Sequence, residues 1–199
     1  MSTLSKPNLS PQQYLELERQ AERKSEYYRG EMFPMSGARW AHNIAAANAI
    51  RELGTQLLGG PCEVCAGNLR VKVGDTGLYT YPDIVVVCGE PHFVDNTLDT
   101  LVNPKLLVEI LSESTEAYDR VTKLEFYRSI ESLSEYLMIS SLRMFVDCYT
   151  RQPDGAWIYN AKTAPEDSIE LKSVNCRLRL TDLYRKVEFG QTSPNLTGR

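Results

Sequence analysis

Little in this chain favours a membrane, a disulfide scaffold or a nucleic-acid coat. Its apolar runs fall far short of the roughly 20 residues that cross a bilayer, and the N-terminal stretch has no apolar leader. A soluble, cytoplasmic protein without a membrane partner is therefore expected. An excess of positive charge is also missing: 22 Lys and Arg stand against 26 Asp and Glu, a net charge of −4. Coating nucleic acid needs the opposite balance, although a locally basic cleft is compatible with these totals. Cysteines are few and odd in number, five in 199 residues, which predicts reduced thiols. Cys62-Glu63-Val64-Cys65 has the spacing of half a zinc site, but Cys88, Cys148 and Cys176 are isolated, so buried thiols are expected instead of structural zinc. Repeats, low-complexity tracts and linkers are absent, and 42% hydrophobic residues supply one buried core. We expect a single domain over residues 10–190, with loose termini at 1–9 and 191–199.

What is present centres on Lys105-Leu106-Leu107-Val108-Glu109-Ile110-Leu111, the most strand-like run of the chain. It reads as a strand buried on both faces, where a lone ionised carboxylate is costly, so Glu109 needs a partner. The comparable run Asp83-Ile84-Val85-Val86-Val87-Cys88 follows Tyr81-Pro82 and also carries a carboxylate. Side chains alternate along a strand, so Asp83 shares a face with Val85 and Val87, and Glu109 with Leu107 and Leu111. If the two strands are neighbours, both carboxylates can enter one pocket. A helix over Ala117 to Ser132 would place Lys123 on its inward face with Asp119, Phe126, Tyr127 and Ile130. Lysines are seldom buried alone, so Lys123 is a candidate partner for the two acids.

Elsewhere, Ser10-Pro11-Gln12-Gln13 predicts a capped helix running to about Arg23. Glu26 to Phe33 alternates across Arg29-Gly30, as a hairpin does. Ala38 to Leu58 is the clearest helix, closed by Gly59-Gly60-Pro61, with His42 on its apolar stripe. That histidine is either a core residue or a catalytic accessory. Strands are expected at 62–66, 69–74, 83–88, 105–111, 135–140 and 144–150, near Trp157, at 169–171 and at 176–180, whereas 90–101 reads as a loop.

Two carboxylates on adjacent strands make an oxygen-rich site for magnesium, which binds through one or two such groups plus water and substrate phosphate. That arrangement suits phosphodiester hydrolysis, with a lysine nearby to orient water or offset charge. The same residues also describe a buried network joining sheet to helix, or a surface pair between Asp119 and Lys123. Residue types alone leave both open.

The order Pro82-Asp83, Glu109, then a lysine resembles the PD-(D/E)XK nuclease superfamily, and more narrowly the bacterial Uma-two family of restriction endonucleases. The resemblance runs from about Pro11 to Tyr184. It rests on the Glu26 to Met35 segment, His42 heading a long helix, Tyr81 to Val87, Leu107 to Thr115, Asp119 with Lys123 and Tyr127, and Glu135-Tyr136-Leu137. It implies an α/β, restriction-endonuclease-like core: a mixed central sheet flanked by helices, with an N-terminal helix and hairpin. It further implies that Asp83 and Glu109 bind Mg2+, or Mn2+ in its place, and that Lys123 is the catalytic lysine. The usual superfamily lysine lies two residues after the glutamate, where this chain has Leu111. Glu31 resembles the family's early acidic residue, and either completes the metal shell or is solvated beside the turn. His42, Asp119 and Tyr127 are accessory candidates. Glu113 and Ser140-Ser141 depart from the family pattern without removing a proposed ligand. The expected function is metal-dependent cleavage of DNA by a homodimer. The alternative is a non-catalytic module that keeps the fold and binds nucleic acid or a protein partner.

Overall fold

The computed structural model describes residues 8–190. The tail expected at 191–199, and all but the last two residues of the expected loose stretch 1–9, lie outside them.

Helix α1 (Pro11–Glu18) opens with the expected capping box: the Ser10 hydroxyl accepts from Gln13 N at 3.2 Å, and the Gln13 side chain accepts from Ser10 N at 2.8 Å. It stops short of Arg23 because its last turn is committed to tertiary bonds. Glu18 accepts from Ser25 N and from the Tyr81 hydroxyl, and Arg19 pairs with Asp95 and Asp99. The hairpin β1 (Ser25–Tyr28) and β2 (Glu31–Pro34) turns at Arg29 and Gly30, both at positive φ, the geometry that matches the twist of two antiparallel strands.

The hairpin belongs to a five-stranded sheet ordered β2-β1-β5-β4-β7, with β4 at Arg70–Val73, β5 at Leu78–Thr80 and β7 at Thr100–Leu101. Neither β5 nor β7 was expected, since two or three residues carry no readable alternation. The central sheet has six strands: β3 (Cys62–Ala66), β6 (Ile84–Cys88), β8 (Leu106–Leu111), β9 (Glu135–Ser140), β10 (Val146–Arg151) and β11 (Trp157–Lys162). Their order is β11-β10-β9-β8-β6-β3, and only β8 and β9 run parallel. It is the mixed sheet of an α/β fold.

Alternation along β6 and β8 sorts the two cores as expected. Ile84, Val86, Leu106, Val108 and Ile110 pack against Ala45, Ala49 and Leu53 of α2 (Trp40–Leu57). The same core takes in the hairpin β12 (Ser168–Leu171) and β13 (Cys176–Arg179), and the short α4 (Leu180–Leu183), which sequence reading missed. Val85, Val87, Leu107 and Leu111 face the other way, onto Tyr127, Ile130 and Leu133. No helix among the described residues is long and apolar enough to cross a membrane.

Two expectations are corrected here. The helix over 117–132 is not continuous: a π-helical turn spans Tyr118–Lys123, and α3 (Leu124–Tyr127) ends well before Ser132. The five thiols are not all reduced, because Cys62 and Cys88 form a disulfide. The β3–β6 register sets them directly opposite, with Cα atoms 3.9 Å apart. Residues 26 apart meet there only because two strands pair, which spacing does not reveal. Cys65, Cys148 and Cys176 are free.

Candidate active site

Asp83 lies one residue before β6. The β6–β8 ladder pairs Ile84 with Val108 and Val85 with Leu107, and one further step in that register sets Asp83 against Glu109. Ile110 N donates to Asp83 Oδ2 at 2.7 Å, which fixes this carboxylate beside the strand that carries Glu109. His42 Nε2, from the first turn of α2, lies 3.3 Å from the same oxygen, while His42 Nδ1 is buried without a hydrogen-bond partner. Behind Asp83 runs the turn after β3. A Cβ at Gly67 would come within 3.3 Å of the Asp83 carbonyl oxygen, so a residue without a side chain permits this close approach. Lys24 Nζ secures the turn by donating to Gly67 O at 2.6 Å and Asn68 Oδ1 at 3.0 Å.

Glu109 sits in the middle of β8 and is 4% exposed. Its Oε1 accepts from Lys123 Nζ at 3.0 Å and from the Tyr127 hydroxyl at 2.7 Å. Lys123 also lies 3.2 Å from Asp119 Oδ1 and 3.3 Å from Glu26 Oε1. One ammonium therefore serves three carboxylates, from a strand, a π turn and the hairpin. The Asp119 contact is an ion pair without hydrogen-bond alignment, since Asp119 Oδ1 has no hydrogen-bond partner. Glu26 is itself held by the hydroxyls of Thr80 and Tyr118, and the Tyr118 ring lies 5.5 Å from Nζ.

The π turn explains why these groups converge. In an unbroken α-helix, residues eight apart drift by roughly 80° around the axis. A wider turn rotates less per residue and offsets much of that drift, so Asp119, Lys123 and Tyr127 all face β8. Arg120 anchors the turn on its other side. It pairs with Glu116 at 2.8 Å and with the fully buried Asp147 of β10 at 2.5 Å, and Tyr159 also donates to Asp147.

Burial pushes the Glu109 carboxyl up from its ordinary pKa; Lys123 opposes the shift, and Asp119 and Asp83 reinforce it. Asp119 moves the same way, again chiefly through burial. For Lys123, burial works against the charge, but Glu109, Asp119 and Glu26 together outweigh it and hold its pKa well above the usual lysine value. The asymmetry follows from numbers: the lysine has three acidic neighbours, and each acid has one lysine. Burial also raises the Tyr127 hydroxyl well above its usual pKa, which keeps it a donor to Glu109.

Asp83, Glu109, Asp119, Lys123 and His42 line one cavity of about 1150 Å³, whose wall also carries Arg23, Lys24 and Arg39 beside Glu22 and Glu113, the last 3.8 Å from Arg39. Glu31 is not among the lining residues. It stands on β2 opposite Tyr28, and the hairpin acid that reaches Lys123 is Glu26. Among the described residues no three His, Cys, Asp or Glu side chains are already set around a metal position. The oxygen donors of Asp83 and Glu109 nevertheless fit magnesium by number and chemistry, since that ion takes one or two carboxylates and completes its shell with water and phosphate.

A mixed sheet flanked by helices, with an aspartate and a glutamate facing each other across two central strands and a lysine behind them, defines a restriction-endonuclease-like protein. The fold is similar to that of "a putative nuclease belonging to DUF820" from Anabaena variabilis, solved as a crystal structure, with a TM-score of 0.73 over 88% of this chain and 97% of that one, at 17% identity. The family described as "Putative restriction endonuclease", Uma2, matches residues 11–181, and the chain belongs to that family, within the PD-(D/E)XK nuclease superfamily. Two Synechocystis proteins are similar along most of their length. "Uncharacterized protein slr1290" is 34% identical over 92% of this chain and 95% of its own. "Uncharacterized protein sll1609" is 34% identical over 81% and 92%.

Proposed function

We propose that this protein is a magnesium-dependent endonuclease that hydrolyses phosphodiester bonds in DNA. Asp83 and Glu109 hold the metal, and Lys123 is the catalytic lysine. The observation that carries this reading is Glu109: a carboxylate buried in a central apolar strand, facing Asp83 at a large cavity, is costly to a fold that has no use for a cation. Bound magnesium supplies a more acidic water and polarises a phosphoryl oxygen, and manganese substitutes for it.

The chain's own groups do the rest. Ile110 N and His42 orient the Asp83 carboxylate, and the Tyr127 hydroxyl orients Glu109. Lys123 offsets the charge that develops on the phosphoryl oxygens. Arg23, Lys24 and Arg39 are the cavity-wall cations that would meet the nucleic-acid backbone, against Glu22 and Glu113 in the same wall. Cutting both strands of a duplex is simplest with two sites related by a twofold axis, and a homodimer supplies them.

A second reading is favoured by one observation: Lys123 already pairs with Glu26, Glu109 and Asp119 without a metal, as in a non-catalytic module that keeps the fold and binds nucleic acid or protein. Supercoiled and linear DNA incubated with Mg2+ or Mn2+ separates the two. Cleavage by the wild type, lost in Asp83→Asn and Glu109→Gln, is expected. Binding without cleavage under every metal condition would favour the module, and neither binding nor cleavage would refute a nucleic-acid role. Light scattering on the eluted protein tests the dimer.

A further inference from the structure

Lys123 has more acidic partners than one ammonium can bond well, and they do not hold it equally. The bond to Glu109 is the shortest at 3.0 Å; Asp119 Oδ1 and Glu26 Oε1 wait at 3.2 and 3.3 Å. Asp119 Oδ1 is buried with no hydrogen bond of its own, and the Tyr118 ring offers its face nearby. Glu26 is fixed in place by Thr80 and Tyr118. A second position for the ammonium is thus already built beside the first, with two acceptors and an aromatic face.

We propose that Lys123 is the resident counter-ion of the metal-free site, that it moves off Glu109 when a divalent cation binds there, and that Glu26 is the positioning residue that retains it. This inference rests on the metal-dependent reading above. Two cations cannot share one carboxylate edge without repulsion, so a metal on Glu109 drives the ammonium away. Release into solvent would leave the buried Asp119 without its ammonium and Glu26 with hydroxyl donors alone, which the fold resists. A short move toward Glu26 and Asp119 keeps every charge partnered and leaves Nζ beside the cavity. The chain thereby offsets part of the charge of its acidic cluster before metal arrives and has its lysine in reach afterwards.

The test uses divalent cations alone, without nucleic acid. Thermal midpoints of wild type and Lys123→Met are followed against Mg2+, Mn2+ and Ca2+, and the Lys123 ammonium of the wild type is followed by 1H–15N NMR, assigned by its loss in Lys123→Arg. Lys123→Met should half-saturate at least tenfold lower in metal than the wild type, although it starts from a lower midpoint. The wild-type ammonium signal should shift with Mg2+ or Ca2+ at the same half-saturation as the midpoint. In Glu26→Gln, metal should erase the signal instead of shifting it, because the displaced ammonium then exchanges with water; a shift as in wild type would remove Glu26 from the role. If wild type binds metal but its ammonium signal stays put, or if a folded Lys123→Met binds metal no more tightly, the displacement is overturned while the metal site survives. If wild type binds no divalent cation, with or without added duplex, both readings fall. Should Lys123→Met fail to fold, the wild-type ammonium signal decides.

Discussion

Replacing Glu109 with glutamine should make the metal-free protein more stable in mild alkali and no more stable in acid. Burial is the main cause raising the folded-state pKa of Glu109, whereas in the unfolded chain the group titrates near 4.5. Well below that value both states hold the proton, and the group carries no pH-dependent penalty. As pH rises through it, the unfolded chain ionises while the folded one resists, so wild-type stability falls by about 1.4 kcal/mol for each unit by which the folded pKa is raised. The fall ends once the folded group has itself ionised. Lys123 stays charged over this range, since its pKa is shifted upward. Glutamine has no such loss. It keeps an oxygen for Tyr127 and Lys123, giving up only the charged part of two bonds, about 1 kcal/mol. The variant should therefore start level with or slightly below wild type at pH 4.5 and overtake it before pH 8. For a chain of this length the gap should reach about 2–4 °C in midpoint per kcal/mol. Scanning calorimetry of both proteins in EDTA, from pH 4.5 to 9, measures it. Parallel curves, or a variant that falls further below wild type as pH rises, would refute the account of Glu109 as a carboxylate held against its preference.

Three further outcomes are expected. Lys123→Met should cost about 3–5 kcal/mol in metal-free urea unfolding, because it strands two buried acids, Glu109 and Asp119, and leaves the half-buried Glu26 without its ammonium; a loss under about 1 kcal/mol would mean that the acids are solvated. Asp147→Asn should cost about 3 kcal/mol, since Arg120 would lose its buried counter-charge, and cleavage should weaken as the π turn loosens; unchanged denaturation curves would show that Arg120 does not anchor the turn. Without reductant, denatured protein should take up three equivalents of iodoacetamide and after reduction five. Closing a loop between residues 26 apart stabilises by about 3–4 kcal/mol, so reduction should lower the unfolding midpoint, and five reactive thiols at the outset would exclude the bridge.

Much of the candidate site was legible because it lies on regular elements. Glu109 falls on β8 and Asp83 one residue before β6, strands whose alternation sorted their apolar neighbours correctly, and i,i+4 spacing put Lys123 with Asp119 and Tyr127. Glu26 escaped for a definable reason. Tyr28 pairs with Glu31 and Glu26 with Phe33, so both hairpin acids lie on the same face and alternation cannot rank them. What ranks them is sheet order: β1 lies inside the sheet against β5, bringing Glu26 to Thr80, whereas β2 is the edge. The one signal available was that Glu26 precedes two tyrosines, on the strand with more aromatic residues. The Cys62–Cys88 pair and the short strands β5 and β7 escaped for a related reason, since each depends on which segments become neighbours. The π turn needed knowledge of what β8 presents to it.

Because Glu26, Asp83, Glu109 and Lys123 come from the hairpin, the entrance to β6, the middle of β8 and the π turn, no short fragment of the chain holds the cluster. Glu26 and Lys123 meet across about a hundred residues, and long-range closures of this kind form late in folding. A nascent, nicked or half-unfolded copy would carry the acids without the geometry. If the proposed cleavage of DNA holds, that is a safeguard: activity would be an all-or-none property of the finished molecule, and proteolytic debris would be harmless to the genome of the cell that makes it.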